Sequence, residues 1–457
     1  MNAEVLRLCE AVREAGGRAM LVGGSVRDRL LGIESKDFDI EVYGLEPARL
    51  RKVLESLGQV NTVGEHFAVY KLVFYRSETK ERFEVDVSLP RRESKSGRGH
   101  RGFVIEGDPS MTFEEAARRR DFTINAILYD PLTIETIDPY GGKDDFERRI
   151  LRAVAADTFI EDSLRVLRAV QLAARFEMTI DPATAELCRT IDLSDLPHER
   201  IWGEVEKWLT LARRPSIGLD VARELGVLDK LFPEIHALLG RPRHCDVKCE
   251  MDSYTHTKRA LDEAASLFAD LCKARCITII LATLCHDLAT EASGEHDATR
   301  HAKSLLGRLG VHTIAGYHVR SQVVALVGEQ LKPMTFYHEH ATDGDFRRLA
   351  HRVEIDLLYR VVKACALAGG DGSNAAVEWF IEKAKSLGVE HGPPTPLLQG
   401  RHLLEIGFDP GPKMGEVLRR VYELQLDGDV TNLEEALAAA WRIELLNSAL
   451  DIPGRSP

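Results

Sequence analysis

Long apolar runs are missing from this chain. The longest, around Ile277 to Leu284, falls far short of the roughly 20 residues a bilayer-spanning helix needs. The opening stretch MNAEVLRLCEAV is an amphipathic pattern containing acids, with no signal-peptide layout, and points to a cytoplasmic protein. Cysteine is scarce and scattered: eight in 457 residues, with Cys245/Cys249 and Cys272/Cys276 the only close pairs. Four-residue spacing can ligate zinc, but no second pair of the usual short spacing completes a knuckle, so reduced, mostly buried thiols are expected. An excess of positive charge is missing too. Lys and Arg number 60 against 72 Asp and Glu, a net charge of −12. Taken globally that argues mildly against a nucleic-acid partner, yet phosphate contacts depend on where the basic groups sit. No internal repeat or low-complexity linker is evident. What remains is ordinary for soluble globular proteins, 44% hydrophobic and 29% charged, in a chain long enough for several packed units.

The most informative stretch is LVGGSVRDRLLGIESKDFDI, Leu21 to Ile40. It reads as a short strand, a glycine turn, a helix opening at Ser25, a second turn, and a strand carrying Asp37 and Asp39. Side chains alternate along a strand, so carboxylates at i and i+2 project from one side. Two acids that close repel unless a cation sits between them, an arrangement suited to Mg²⁺-assisted phosphoryl or nucleotidyl transfer. Gly23 and Gly24 let backbone approach a ligand closely, the following helix start favours anions, and Arg27 adds a fixed cation beside a triphosphate. A DxD alone usually marks a solvated strand end; the glycine pair, helix and DxD within twenty residues are far more specific.

GGSVRDRLLG followed by KDFDI resembles the nucleotidyltransferase head of the class II CCA-adding enzymes and bacterial poly(A) polymerases. Strand-like runs follow at Val60, at AVYKLVFY from Ala68, and at RFEVDVSL from Arg82, where Asp86 is the preferred candidate for a third acid near the metals. The polar outer face of an edge strand explains Glu84 and Asp86 about as well. GEHFAVYK at Gly64 resembles the family segment after the DxD helix. RRESKSGRGHRGF, Arg91 to Phe103, has the composition of a mobile basic loop and resembles the family loop that switches nucleotide choice from C to A. EEAARRRDFTINAILYD matches RRDxTINA; the resemblance implies that Arg120 faces nucleotide phosphates while Asp121 and Asn125 hold the turn. DPYGGKDDFERRILR, from Asp138, matches the next family block and leads into an all-helical region.

EDSLRVLRAVQLAARF, Glu161 to Phe176, sets Asp162, Arg165 and Arg168 at three-residue steps along one side of a helix. A salt-bridged surface helix is the plain reading. The resemblance implies instead an EDxxR element that selects the base, since a fixed carboxylate and guanidinium offer an acceptor and donors to a Watson–Crick edge. Cytosine and adenine each present an amino donor beside a ring-nitrogen acceptor; uracil and guanine reverse that order. Relatives often carry a further arginine three residues after Arg168, where this chain has Gln171, which puts a triphosphate contact or salt bridge there in question. HERIWGEVEKWL at His198 resembles the neck block that meets substrate RNA.

THT at Thr255 and LCHDLA at Leu284 resemble the HD phosphohydrolase domain of some bacterial CCA-adding enzymes, which implies His256, His286 and Asp287, with His296, as metal ligands. The lysine expected after the pair is missing, Gln330 stands where a histidine is expected, and Cys365 lies near the expected final aspartate. A degenerate HD fold kept for RNA binding or packing is therefore preferred over a working hydrolase. The block from Leu397 matches the same subfamily's C-terminal region, with a helix from near Pro412 and a short capped helix after Thr431.

The expectation is an α+β chain: a nucleotidyltransferase head over residues 1–150, a helical neck over 151–235, an HD-like domain over 236–370 and a helical tail over 371–457. The resemblance implies addition of CCA to tRNA 3′ ends from CTP and ATP by a two-metal Mg²⁺ mechanism. Asp37 and Asp39 would be catalytic and metal-binding. Gly24, Arg27, Arg120, Asp162, Arg165 and Arg168 would bind nucleotide. A sibling polymerase adding poly(A), CC or A alone shares the head motifs, and an HD-type phosphohydrolase is the reading from another class.

Overall fold

A computed structural model describes residues 2–32, 37–62, 69–75, 82–95, 103–242, 251–288, 296–370 and 374–450. The chain folds as two compact units, residues 1–233 and 234–457. Finer divisions near 150 and 370 stay a proposal from the sequence.

The first unit is built on a seven-stranded sheet. Its strands are β1 (Arg18–Leu21), β2 (Asp39–Tyr43), β3 (Gln59–Thr62), β4 (Val69–Tyr75), β5 (Arg82–Ser88), β8 (Leu128–Tyr129) and β9 (Thr136–Ile137), in the order β3-β4-β5-β2-β1-β8-β9. Only β2 and β5 pair in parallel. The period-two pattern of β2 sorts its side chains. Ile40 and Val42 enter a core with Val85 and Val87, covered by Val5, Leu8 and Val12 of the helix Ala3–Glu14 and by Leu50 and Leu54 of the helix Pro47–Leu57. Each of those leucines contributes roughly 1.5–3 kcal/mol by leaving water. Asp39 and Glu41 therefore face the other side, where the sheet carries its chemistry.

Two sequence expectations change here. The basic segment is not loop throughout: β6 (Arg91–Lys95) and β7 (Phe103–Gly107) form an antiparallel hairpin, because its flanks pair where the composition suggested only mobility. The tip, 96–102, lies outside the described residues, as does most of the GEHF segment, 63–68. The final helix is not short. It runs Leu433–Leu450, since Ala436, Ala439, Ala440 and Ile443 pack on Val417 and Val421 of the helix Pro412–Asp427 and carry it forward.

Beyond the head, strand pairing persists only at Ile150–Leu151 with Thr179–Ile180, and the rest is helical among the described residues. The apolar run at Ile277 to Leu284 is a buried helix, Lys273–Cys285. No described helix is long and apolar enough to cross a membrane.

Candidate functional site

Parallel pairing of β2 with β5 puts Asp39 in register with Asp86; Asp37, which the sequence reading placed on the same strand, lies two residues before β2, since ladder pairing begins only at Asp39. All three are exposed residues, Asp39 opening β2 and Asp86 lying within β5. The Asp39 carboxyl is raised above the ordinary aspartate range: desolvation by the surrounding chain contributes most, Asp86 next, Arg120 opposes, and Asp37 adds repulsion. Asp86 and Asp37 thus disfavour charge on Asp39, an electrostatic setting that a divalent cation would relieve.

Gly23 closes the site from the side of β1. Its φ of +67° is the left-handed region that a side chain resists, and an added Cβ would lie 3.5 Å from Arg120 Nη1 and 3.6 Å from Asp39 Oδ2. The glycine thus lets backbone pass between the acid and the arginine. The helix Gly24–Leu30 follows, opening at Gly24 and so one residue earlier than the sequence suggested.

Arg27 lies on that helix but is buried. It donates to Asn125 Oδ1 at 3.1 Å and Asp28 Oδ1 at 2.8 Å, and its guanidinium lies 4.4 Å from the centre of the Phe176 ring. Burial lowers its pKa from the usual arginine range, against the pull of Asp28. Arg120 is placed by a residue the sequence reading missed. Glu41, only 1% exposed, accepts from Arg119 Nη2 at 2.9 Å, stands 3.6 Å from Arg120 Nη2 and accepts from the Tyr43 hydroxyl at 2.6 Å. Burial alone would raise the Glu41 carboxyl, but Arg120 and Arg119 hold it below its ordinary range. The signal was present: Asp37, Asp39 and Glu41 follow an i, i+2, i+4 series in the sequence.

The RRRDFTINA segment is held from within. Asp121 accepts from the Phe122 amide at 2.8 Å and Asn125 Nδ2 at 3.0 Å. Gly142 backs this turn so closely that a Cβ would fall 2.1 Å from the Thr123 carbonyl oxygen.

The second cluster joins this segment to the neck. Leu164–Phe176 is helical, and Asp162 lies just before it, where the sequence reading had placed it on the helix itself. Its carboxylate accepts the Leu164 amide at 3.1 Å, Arg200 Nη1 at 3.2 Å and Arg200 Nη2 at 2.9 Å, so Arg200 on the helix His198–Leu211 is a second missed residue. Arg165 donates to the carbonyls of Thr158 at 2.8 Å and Arg119 at 2.6 Å. Arg168 Nε donates to Asp121 Oδ2 at 2.6 Å. Desolvation would raise the Asp121 carboxyl, but Arg168, with Asn125 and the Phe122 amide, holds it below its usual range. Gln171 is 3% exposed, so its position belongs to the interior. The acids at the sheet and the Asp162 group are thus linked through residues 119–125.

In the second unit His256, His286 and Cys365 converge, their ligand atoms all within 4.8 Å of one another. Asp287 Oδ1 stands 3.4 Å from His286 Nε2. Burial opposes charge on His286, but Asp287 and then Cys365 outweigh it and raise its pKa to about 9. His296 begins the helix His296–Arg308, and its side chain lies outside the described residues. All described cysteines are free, though only Cys9, Cys188 and Cys285 are buried, fewer than expected.

Comparison with known proteins agrees with this architecture. Residues 19–152 match the family described as poly A polymerase head domain, and residues 177–239 match the probable RNA and SrmB-binding site of polymerase A. The "Multifunctional CCA protein" of Xylella fastidiosa strain 9a5c is 40% identical over 279 residues, covering 59% of this chain and 62% of that protein. That of Stenotrophomonas maltophilia strain R551-3 is 40% identical over 290 residues, covering 62% and 66%. The chain thus spans less than two thirds of the length of these relatives. In fold it is similar to a Bacillus stearothermophilus CCA-adding enzyme solved with CTP, at TM-score 0.67 and 22% identity over 98% of this chain and 99% of that one. It is also similar to a Thermotoga maritima CCA-adding enzyme solved with tRNA, at TM-score 0.61 and 20% identity over 96% of each. The chain thus carries a head-domain match and an RNA-binding match of polymerase A type, is 40% identical over part of its length to proteins named as CCA proteins, and shares its fold with CCA-adding enzymes.

Proposed function

We propose that this protein adds CCA to tRNA 3′ ends from CTP and ATP, without a nucleic-acid template, in the cytoplasm. The observation that carries the reading is the register of Asp39 with Asp86 beside Asp37, facing Arg120 across Gly23. Divalent-metal dependence comes with the family. Asp37 and Asp39 would hold Mg²⁺, which when bound supplies activation of the RNA 3′-hydroxyl and neutralisation of the triphosphate. Asp86, in register with Asp39, is a third carboxylate for the same charge.

The hydroxyl oxygen forms a bond to the α-phosphorus as the α–β bridging bond breaks. Pyrophosphate leaves with the electron pair and the hydroxyl proton passes to solvent. The chain's part is positioning. Arg120, braced by Glu41, is aimed beside the acids where the phosphates would lie. The Gly24 backbone admits them closely. Arg27, buried against Phe176, contributes a fixed positive charge behind the turn.

Base choice would rest on Asp162, Arg165 and Arg168, and their internal bonds support rather than preclude it. A carboxylate has about four lone-pair sites. The Asp162 carboxylate accepts three bonds, two at Oδ1 and one at Oδ2, which leaves capacity at Oδ2 for an exocyclic amino group. Arg165 and Arg168 keep unspent N–H groups for a ring nitrogen. A rigid acceptor beside a rigid donor admits cytosine and adenine and rejects uracil and guanine.

The test supplies purified protein with tRNA transcripts lacking CCA, ending in CC, or complete, and with CTP and ATP separately and together. Growth by three residues and then a stop is expected. Growth by one or two, or long A tails, would make it a sibling polymerase instead. Asp39→Ala should abolish incorporation of both nucleotides in a protein that still folds; retained incorporation would remove the metal assignment.

A further inference from the structure

We propose that Glu41 is a positioning residue for base choice as well as for the triphosphate, its buried carboxylate holding Arg120 directly and Arg165 by way of Arg119. On the function proposed above, Arg120 meets the phosphates and Arg165 the base. Glu41 then governs both how tightly a nucleotide is held and which base is accepted, without touching either. It lies on β2 two residues after Asp39, on the face away from the main core, and is 1% exposed. Tyr43 on the same face packs edge-on against Phe113 at 4.6 Å and joins a small second core with Met20, Val22, Ala116 and Ala117. A carboxylate buried beside such a core needs cationic partners.

Its two oxygens serve different arginines. Oε1 accepts from Arg119 Nη2 at 2.9 Å. Oε2 stands 3.6 Å from Arg120 Nη2 and accepts from the Tyr43 hydroxyl at 2.6 Å. Three consecutive arginines repel one another, and the fold sends them to different acids. Arg118 Nη2 donates to both oxygens of Asp157, at 3.1 and 2.9 Å, while Arg119 and Arg120 share Glu41. The Arg119 and Arg120 side chains are only 20% and 19% exposed, so solvent screens their attraction to Glu41 little.

The path to the base runs through backbone. The helix Phe113–Arg118 ends just before Arg119, and the last carbonyls of a helix have no partner inside it. Here their partners come from the neck. Thr158 Oγ1 donates to the Arg118 carbonyl at 3.0 Å, and Arg165 Nη2 to the Arg119 carbonyl at 2.6 Å. The other end of the Arg165 fork, Nη1, donates to the Thr158 carbonyl at 2.8 Å. The Arg165 guanidinium is therefore aimed by the position of residue 119, which sits in a turn beyond the helix. The Arg119 side chain ties that turn to β2 through Glu41. Removing the charge at Glu41 loosens Arg120 and shifts the carbonyl that Arg165 follows. Groups that must be held to a fraction of an ångström depend on supports of this kind.

The full-length protein, with tRNA transcripts lacking CCA, is assayed for incorporation of each nucleotide alone. The readouts are the UTP-to-CTP ratio of kcat/KM and the KM for CTP. Glu41→Gln keeps the size and the bond to Tyr43 but removes the charge. It should raise the ratio about 10-fold, below the ~10²-fold that a full ångström of misplacement costs, and raise KM as well. Arg119→Met should raise the ratio by a similar factor with a smaller change in KM, since Arg120 keeps Glu41. Combining the two should give no higher ratio than either alone, because both act on one path. Glu41→Asp, which retains the charge, should show a smaller rise than Glu41→Gln. A smaller folded fraction lowers incorporation of all four nucleotides together and leaves the ratio unmoved, so the ratio separates positioning from stability. Were Glu41→Gln to fail to fold, Arg119→Met still decides. Unmoved ratios in Glu41→Gln and Arg119→Met, while Asp162→Ala and Arg165→Ala relax selection, would overturn this proposal and leave the base site as assigned. Ratios that multiply in the double variant would overturn the path through Arg119. A wild-type protein that incorporates all four nucleotides alike would overturn the base-site reading and this proposal with it.

Discussion

Replacing Arg168 with Met tests whether the base-side helix and the RRRDFTINA turn are one electrostatic unit. Asp121 is 8% exposed and accepts three bonds, the shortest from Arg168 Nε at 2.6 Å. Stripping a buried carboxylate of its cation costs about 3–5 kcal/mol. Two donors remain on Asp121, and the Arg168 side chain is 35% exposed, so screening reduces the expected loss to about 2–3 kcal/mol. Urea unfolding followed by fluorescence in a Trp379→Phe/Trp441→Phe background reports the first unit through Trp202 and Trp208. The pH dependence has a definite sign. With Arg168 present the Asp121 carboxyl is depressed, so its stabilisation is complete above the unfolded value of about 3.9 and fades as pH falls through the folded one. In Arg168→Met burial dominates and pushes the carboxyl up, so acidification protonates Asp121 and relieves the variant. The gap between the two proteins should be widest near neutrality and narrow below about pH 5. Adding Asp121→Asn should recover more than half of the loss. A loss below about 0.5 kcal/mol at pH 7, within the range of ordinary surface substitutions, or one undiminished by Asp121→Asn, would refute the coupling.

The remaining predictions concern the acids and base choice. Arg120 opposes the raised pKa of Asp39, so Arg120→Gln should raise it further and move the acid limb of kcat/KM for CTP incorporation to higher pH. An unmoved limb would detach Arg120 from the acid cluster. Asp162→Ala and Arg165→Ala should relax base choice more than they weaken triphosphate binding, read from incorporation of all four nucleotides; if UTP and GTP stay excluded in both, base selection lies elsewhere. Arg200→Ala should move selection the same way but less, because the Arg200–Asp162 pair is about a third exposed on each side and worth only about 1 kcal/mol.

The sequence by itself determined the parts whose physics is local. Asp39 and Glu41 share a face because strand side chains alternate, and Gly23 was marked as a point where backbone can come close to a ligand. Even Glu41 was legible in the i, i+2, i+4 series, although nothing in the string said that it would be buried. Tertiary structure decided everything that depends on non-local pairing. Only the parallel register of β2 with β5 makes Asp86 a neighbour of Asp39, since residues 47 positions apart carry no periodic relation. Only the packing of His198–Leu211 beside Leu164–Phe176 delivers Arg200 to Asp162. The same reason made the meeting of Cys365 with His256 and His286 unreadable: three helices drawn from 253–369 must pack before its sulfur approaches them. Spacing along the chain fixes which residues share one element, and burial and pairing between distant elements fix which of them meet.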